Sequence, residues 1–248
     1  MKKNRNWIFI NLTVVLVLAL ILTNSCKKSD DNNPPAGNTV TDIDDNVYHT
    51  ITLGTQVWLV ENLKVTHYRN GDPIQPGSLK AYNASTVDTA GKAYVYNDLQ
   101  SNADIYGRLY NWYSLGGSHT LAPNGCHVPS VAEWDTLSSY LHNTYGTATS
   151  PDFGGIGGIL KETGTTHWQT PNTGATNESG FSALPGGGFS FGAFMGLGTQ
   201  CFFWTSNQVG PVMNTPNAWS INLNYNGIIA YRVNPDKLNG ISVRCLKD

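Results

Sequence analysis

The sequence predicts an α+β fold: a single loop-rich domain in which antiparallel strands and hairpins surround one or two helices. Three observations predict it. Ser130 followed by Glu133 opens an amphipathic helix; short apolar and polar alternations are separated by Gly and Asn-Gly turns; and the stretches between them are rich in Gly, Asn, Ser and Thr.

In chain order, Lys2, Lys3 and Arg5 precede an apolar run from Trp7 to Leu22, broken only by Asn11 and Thr13. This is the layout of an export signal, with a retained membrane anchor as the alternative because the run nears the lower length for a spanning helix. Leu22-Thr23-Asn24-Ser25-Cys26 resembles a bacterial lipobox, so residues 1–25 are expected to be a lipoprotein signal peptide and Cys26 the lipidated first residue. Two or three acyl chains, at about 0.8 kcal/mol per buried methylene, anchor stably where one would not. Residues 26–39 are polar, charged and proline-containing, the composition of a flexible tether. Asp30-Asp31 resembles the surface-export signal of some lipoproteins, so the expected location is the outer membrane, on its cell-surface or periplasmic side.

Loss of Lys2, Lys3 and Arg5 with the leader leaves 12 of the 15 basic residues against 17 acidic ones, a net charge of −5. With no basic stripe to neutralise phosphates, nucleic acid is excluded as a partner; the membrane, through lipid, is the expected one.

The domain is expected over 40–248. Val47, His49, Ile51 and Leu53 alternate with polar residues, Gly54-Thr55 turns the chain, and Gln56 to Leu59 returns it as a hairpin. Residues 75–92 read as an excursion and 93–96 as a short strand. Ile105 to Leu115 places Leu109, Trp112 and Tyr113 on one helical face, with a strand as the alternative. Asn124-Gly125 is a turn; Ser130 and Glu133 form a capping box; Val131, Trp134, Leu137 and Leu141 make the apolar stripe of a helix ended by Gly146. Residues 163–188, including Trp168, Asn172, Asn177, Glu178 and a Gly triplet, read as a long ordered loop, a type that is usually functional. Then come a strand at 202–205, an alternation at Trp219, Ile221 and Leu223, an Asn226-Gly227 type I′ turn, a return at Ile229, Tyr231 and Val233, and a last strand over 241–246.

If Cys26 carries lipid, Cys126, Cys201 and Cys245 remain, and one disulfide with a spare thiol, three reduced thiols, or a reactive thiol all fit that count. No cysteine or histidine spacing suits zinc. Acid-base chemistry would need convergence among Glu61, Asp135, Glu162, Glu178, His127 and His167, none of which lies in a catalytic motif. Abundant Trp, Tyr and Asn suit a carbohydrate-binding surface, aromatic faces meeting sugar faces and amides meeting hydroxyls. Trp58, Trp112, Trp134 and Trp219 lie on apolar-periodic faces and are expected in the core, leaving Trp168 as the ligand-facing candidate. Asn172, Asn177 and Glu178 are its candidate polar partners and candidate calcium ligands, with Asx turns as the simpler account.

Six blocks in order carry a family resemblance: Gln56 to Leu63, Tyr106 to Tyr113, His127 to Ser130 with Glu133-Trp134, Leu160-Lys161-Glu162 to Trp168, Pro171 to Phe181 with Ala183 to Gly187, and Ser242 to Asp248. Together they resemble the Fibrobacter succinogenes major paralogous domain. That resemblance implies a lipoprotein or cell-surface setting. The blocks are also distantly similar to the formylglycine-generating sulfatase-modifying fold, a relative of the C-type lectin-like fold, through Val128 to Trp134 and Gly240 to Cys245. Where the family carries a cysteine two residues before Asn124, this chain has Ala122, so an implied bridge shifts to Cys126–Cys245. The paired cysteines of the sulfatase-modifying enzymes have no counterpart beyond Cys245. The expected function is a lipid-anchored, non-catalytic module binding a glycan or another envelope component. A structural or adhesive envelope protein and a cryptic enzyme are the alternatives.

Overall fold

The computed structural model describes residues 38–77, 88–116, 119–147, 153–210 and 215–248. The expected leader, Cys26 and most of the tether lie outside the described residues. The strands are β1 (Thr39–Thr41), β2 (Val47–Leu53), β3 (Gln56–Leu59), β4 (Gln75–Pro76), β5 (Lys92–Tyr94), β6 (Leu109–Tyr110), β7 (Cys126–His127), β8 (Gly186–Ser190), β9 (Ala193–Leu197), β10 (Gln200–Gln208), β11 (Ala218–Asn224), β12 (Ala230–Val233) and β13 (Leu246–Lys247). The helices are α1 (Gln100–Tyr106), α2 (Val131–Tyr145) and α3 (Ile156–Leu160). Strands form a sheet ordered β1-β2-β3-β13-β7, two three-stranded sheets β10-β11-β12 and β4-β5-β6, and the hairpin β8-β9. All of these pairings except β4-β5 are antiparallel. The fold is thus mostly strand, loop-rich, with few helices. Among the described residues no helix is long and apolar enough to cross a membrane.

Strand alternation feeds two cores. Successive side chains point to opposite faces of a strand, so Trp58, Phe203 and Leu246 enter one apolar cluster while their neighbours Leu59, Trp204 and Cys245 enter the other. Helix α2 covers the first of these. Ser130 Oγ accepts from the Glu133 amide at 3.2 Å, Glu133 Oε2 accepts from the Ser130 amide at 2.7 Å, and Gly146 ends the helix at φ 65°. Its buried residues are Trp134, Leu137, Ser138 and Leu141. The Trp134 ring lies 4.8 Å from Trp58, 5.7 Å from Phe203 and 5.8 Å from Phe181.

Two fully buried cations lock the C-terminal half. Lys161 Nζ donates to the carbonyls of Thr173, Asn224 and Gly227 at 3.0, 3.0 and 2.9 Å and sits 5.4 Å from the Trp168 ring centre. Burial pulls its pKa down to about 8, with Cys201 opposing the shift. Arg244 donates to Asn62 Oδ1 from Nη2 at 2.9 Å and from Nε at 3.2 Å, bonds the Phe181 carbonyl, and stacks 4.2 Å from the Phe181 ring. Among the described residues no carboxylate accepts from either cation; backbone oxygens, one amide and aromatic faces replace hydration.

Several expectations change. Residues 105–115 are not one amphipathic segment but the end of α1, the strand β6 and a 3₁₀ turn at Trp112–Ser114, broken by Gly107 at φ 81° against Asn62 and the Leu63 carbonyl. The expected tight turn at Asn226-Gly227 is a longer loop between β11 and β12. Asn224 and Gly227 direct their carbonyls to Lys161, while the Tyr225 carbonyl accepts from Thr173 and the Ile228 carbonyl from Gly158. The last strand is reduced to Leu246–Lys247, with Ile241 and Ser242 making single bridges to Tyr110 and Phe203. The Gly triplet, read as the end of a loop, opens the β8-β9 hairpin. Trp58 and Trp134 are core as expected, whereas Trp112 and Trp219 are half-buried. Cys126, Cys201 and Cys245 are buried free thiols. Cys126 and Cys245, the expected pair, lie in one core cluster, with Lys247 directly opposite Cys126 in the ladder.

His127 ties the C-terminal strand to α2. Its Nδ1 meets Asp248 Oδ1 at 2.6 Å and its Nε2 meets Glu133 Oε1 at 2.8 Å. Burial alone would lower its pKa, but the bonds to Asp248 and Glu133 outweigh that and raise it above 6.5. Burial likewise pushes Glu133 up, and its bonds to Ser130 and His127 bring it below 4.5. The histidine's stabilising contribution is therefore full below pH 6.5 and fades as pH rises through its raised pKa; the glutamate's is full above 4.5 and fades as pH falls through its lowered one. His127→Gln should remove a pH-dependent term of about 0.5–1 kcal/mol, small because the groups are partly exposed; urea midpoints across pH 3–9 that keep the wild-type profile would contradict the assignment. Lys161→Met should leave three partly buried carbonyls without this donor and cost about 1–3 kcal/mol in urea denaturation. A loss under about 1 kcal/mol would mean that they find other partners.

Candidate functional site

The structure places the four predicted ligand residues of the 163–188 loop in different surroundings. Trp168 is 1% exposed, its Nε1 donating to the Ala183 carbonyl at 2.9 Å, in the same cluster as Trp134 and Phe181. Asn172 is buried as well, its Nδ2 donating to the carbonyls of Glu162 at 2.9 Å and Gly164 at 2.7 Å. Asn177 pins its own turn, accepting from the Ser182 amide at 2.8 Å and donating to Ser182 Oγ at 2.9 Å. Glu178 is exposed, and its carbonyl accepts from Tyr145 Oη at 2.9 Å. Trp168, Asn172, Asn177 and Glu178 therefore have separate partners and do not share a ligand-facing surface. Of the oxygens expected for calcium, that of Asn177 is taken by the Ser182 amide, that of Asn172 is buried without a hydrogen-bond partner among the described residues, and Glu178 is exposed. Among the described residues no group of three or more His, Cys, Asp or Glu side chains is placed to hold a metal ion.

The candidate acid-base residues form pairs that are scattered over the fold. Glu61 bonds His49 at 2.6 Å, Glu162 bonds His167 at 2.8 Å, His127 lies between Glu133 and Asp248, and Asp135 pairs with Arg232. These pairs lie outside the walls of three cavities: a small one beside Arg69 and Asp42, an apolar groove along β8 and β9, and a cleft at Trp112 and Tyr113.

The cleft at Trp112 and Tyr113 has the features of a binding site. It encloses about 480 Å³ and is lined by Thr89, Trp112, Tyr113, Leu115, Gly116 and Ser206. Its floor is built from the residue before the 3₁₀ turn. Asn111, 1% exposed, accepts from the Lys92 amide at 2.9 Å and donates to the Ala90 carbonyl at 2.7 Å, while its own carbonyl takes the Ser114 amide and hydroxyl. Trp112 is then fixed at three points. Its amide donates to the Lys237 carbonyl at 2.9 Å, its Nε1 donates to the Thr205 carbonyl at 3.0 Å, and the Lys237 ammonium lies 4.4 Å from the ring. The Tyr113 ring meets it edge-on, centroids 6.4 Å apart.

Charge near the cleft is balanced. Burial lowers the pKa of Lys237, opposed by Asp236, and its ammonium donates to Gln208 Oε1 at 3.0 Å. Burial raises the Tyr113 hydroxyl and the Asp236 charge adds to this, so the phenol is neutral at physiological pH and available as donor or acceptor. Among the described residues the lining thus offers the fixed Trp112 ring, the Tyr113 ring, small hydroxyls at Thr89 and Ser206, and no side chain charged at neutral pH. Sequence reasoning missed it by placing Trp112 in the core.

No curated protein and no solved structure matches the chain. The model of the Fibrobacter succinogenes major domain matches residues 51–247, reaching from β2 into β13 and spanning both cores and the cleft. The chain belongs to the Fibrobacter succinogenes major domain family.

Proposed function

We propose that this chain is a non-catalytic binding module of the cell envelope, tethered to the outer membrane through a lipidated Cys26, which takes an uncharged glycan in the Trp112–Tyr113 cleft. The observation that carries the reading is the pair of half-buried rings, the indole fixed by its hydrogen bonds, beside an open cleft of about 480 Å³ whose described walls carry no charged side chain. Ring faces pack on the apolar face of a sugar, and Thr89, Ser206 and the Tyr113 hydroxyl are of the right type to pair with its hydroxyls. Because hydrogen bonds and the Lys237 ammonium already fix the indole, little side-chain entropy is lost on binding. Asp236 beside Tyr113 disfavours acidic sugars. The scattered histidine–carboxylate pairs, each engaged in bonds that hold the fold, favour binding over catalysis. Helices packed on short antiparallel strands beneath long loops support placing the domain near the sulfatase-modifying and C-type lectin-like folds.

On a glycan array, the full-length protein should bind neutral glycans in preference to uronate- or sialate-bearing ones. Trp112→Ala should weaken that binding by at least about tenfold, or 1.4 kcal/mol, with the fold retained by circular dichroism. No neutral glycan bound, or equal binding by the variant, would contradict the reading. Mass spectrometry of the native protein should find Cys26 as the acylated N-terminal residue, and Cys26→Ser should release the protein from the membrane fraction; an unacylated mature protein would contradict the anchor.

A further inference from the structure

The β8-β9 hairpin carries a side chain that neither packing nor backbone preference explains. Ser190 pairs with Ala193, so Phe191 and Gly192 alone make the turn, both at positive φ, 48° and 79°. A two-residue turn of this kind favours Asn or Gly at its first position, and a bulky aromatic there is strained. Phe191 is also 82% exposed, so the apolar ring is held out into water from a backbone that disfavours it. Strain of this kind persists where the side chain has work to do outside its own fold.

Beside that knob lies a hole. The apolar groove of about 320 Å³ is walled on one side by Ser190 and Met195 of the same hairpin and on the other by Phe202, Val233, Pro235 and Ile241. Met195 is 44% exposed, and Phe191 is not among the walls, so it does not fill its own groove. A protruding ring adjacent to a ring-sized apolar recess is the arrangement that becomes self-complementary under a twofold axis: each copy's ring enters the other's recess. Electrostatics favour the same partner. None of the described residues lining the groove is ionisable, so two copies of a net-negative chain meet at those walls without like-charge repulsion. An anionic lipid surface would find no Lys or Arg in the groove walls to attract it.

We propose that the β8-β9 hairpin is a self-association surface, Phe191 of each copy seated in the groove formed by Met195, Phe202 and Ile241 of a second copy. The contact is small and so weak in dilute solution; confinement to one membrane surface, which rests on the anchor proposed above, raises the effective concentration.

The test uses the full-length chain in cells, with the photoreactive p-benzoyl-phenylalanine in place of Phe191. Irradiation should give an adduct of twice the chain mass, its cross-linked peptide mapping to 195–202 or 233–241 of the second copy. The same group in place of Ile43, which is 51% exposed elsewhere, should give none. Met195→Lys in the Phe191-labelled chain should abolish the adduct with melting temperature unchanged. In a separate cross-linking assay with a soluble amine reagent, Phe191→Asn should lose the dimer while melting at the same or a higher temperature, because Asn tolerates positive φ. An adduct only with lipid, only with another protein, equally from position 43, or none at all would overturn the proposal, as would survival of the adduct in Met195→Lys. Failure of the anchor is read separately, by the membrane fraction of the same cells.

Discussion

A buried ammonium solvated by backbone carbonyls is the constraint on which the C-terminal half depends. Among the described residues Lys161 has no carboxylate accepting from its Nζ, so its charge is tolerated only because the carbonyls of Thr173, Asn224 and Gly227 and the Trp168 face converge on it. These oxygens come from the long loop, the end of β11 and the β11-β12 connection. Holding them together determines the path of all three. The clearance is small: a Cβ on Gly158 would lie 2.2 Å from the Gly174 carbonyl oxygen, so only glycine lets α3 approach the loop this closely. Arg244 repeats the strategy nearer the centre, with Asn62 and the Phe181 carbonyl in place of a counter-ion.

This constraint decides where a ligand is received. A loop whose tryptophan, asparagine and phenylalanine are drawn inward to complete the core has little left to offer a partner. Two accessible aromatic features stand out among the described residues, the Trp112–Tyr113 cleft and the tip of the β8-β9 hairpin, one concave and one protruding. The two differ in kind as well as shape. Hydrogen bonds immobilise the indole from behind, whereas Phe191 is presented by a strained turn with no packing around it. They suit different partners, a small polar ligand with an apolar face and a second protein surface.

Much of the architecture was legible where the signal is local. The capping box at Ser130 and Glu133, the Gly146 stop and the alternation around Gly54-Thr55 each involve residues within a few positions of one another, and each element forms where expected. The failures share a cause. Trp168 reads as a loop residue because its neighbours are polar, and nothing near it in sequence reveals that Lys161 and Ala183 enclose it. Asn226-Gly227 has the composition of a tight turn, and the fold overrides it by directing the Gly227 carbonyl to a lysine 66 residues earlier. Trp112 was misplaced because a helical period was fitted across Gly107, whose backbone breaks it.

The central claim is that residues 161–185, though many of their side chains face solvent, are pinned to the core through Lys161, Trp168, Asn172, Phe181 and Ala183, and are not a mobile ligand-gathering loop. Hydrogen–deuterium exchange of the full-length protein tests it most directly. Amides donating within this segment, such as those of Lys161, Asn172, Thr173 and Ala183, should exchange as slowly as those in the middle of α2, opening only with global unfolding. Exchange as fast as that of the exposed hairpin tip at Phe191 and Gly192 would contradict the account and return the segment to the role of a binding loop.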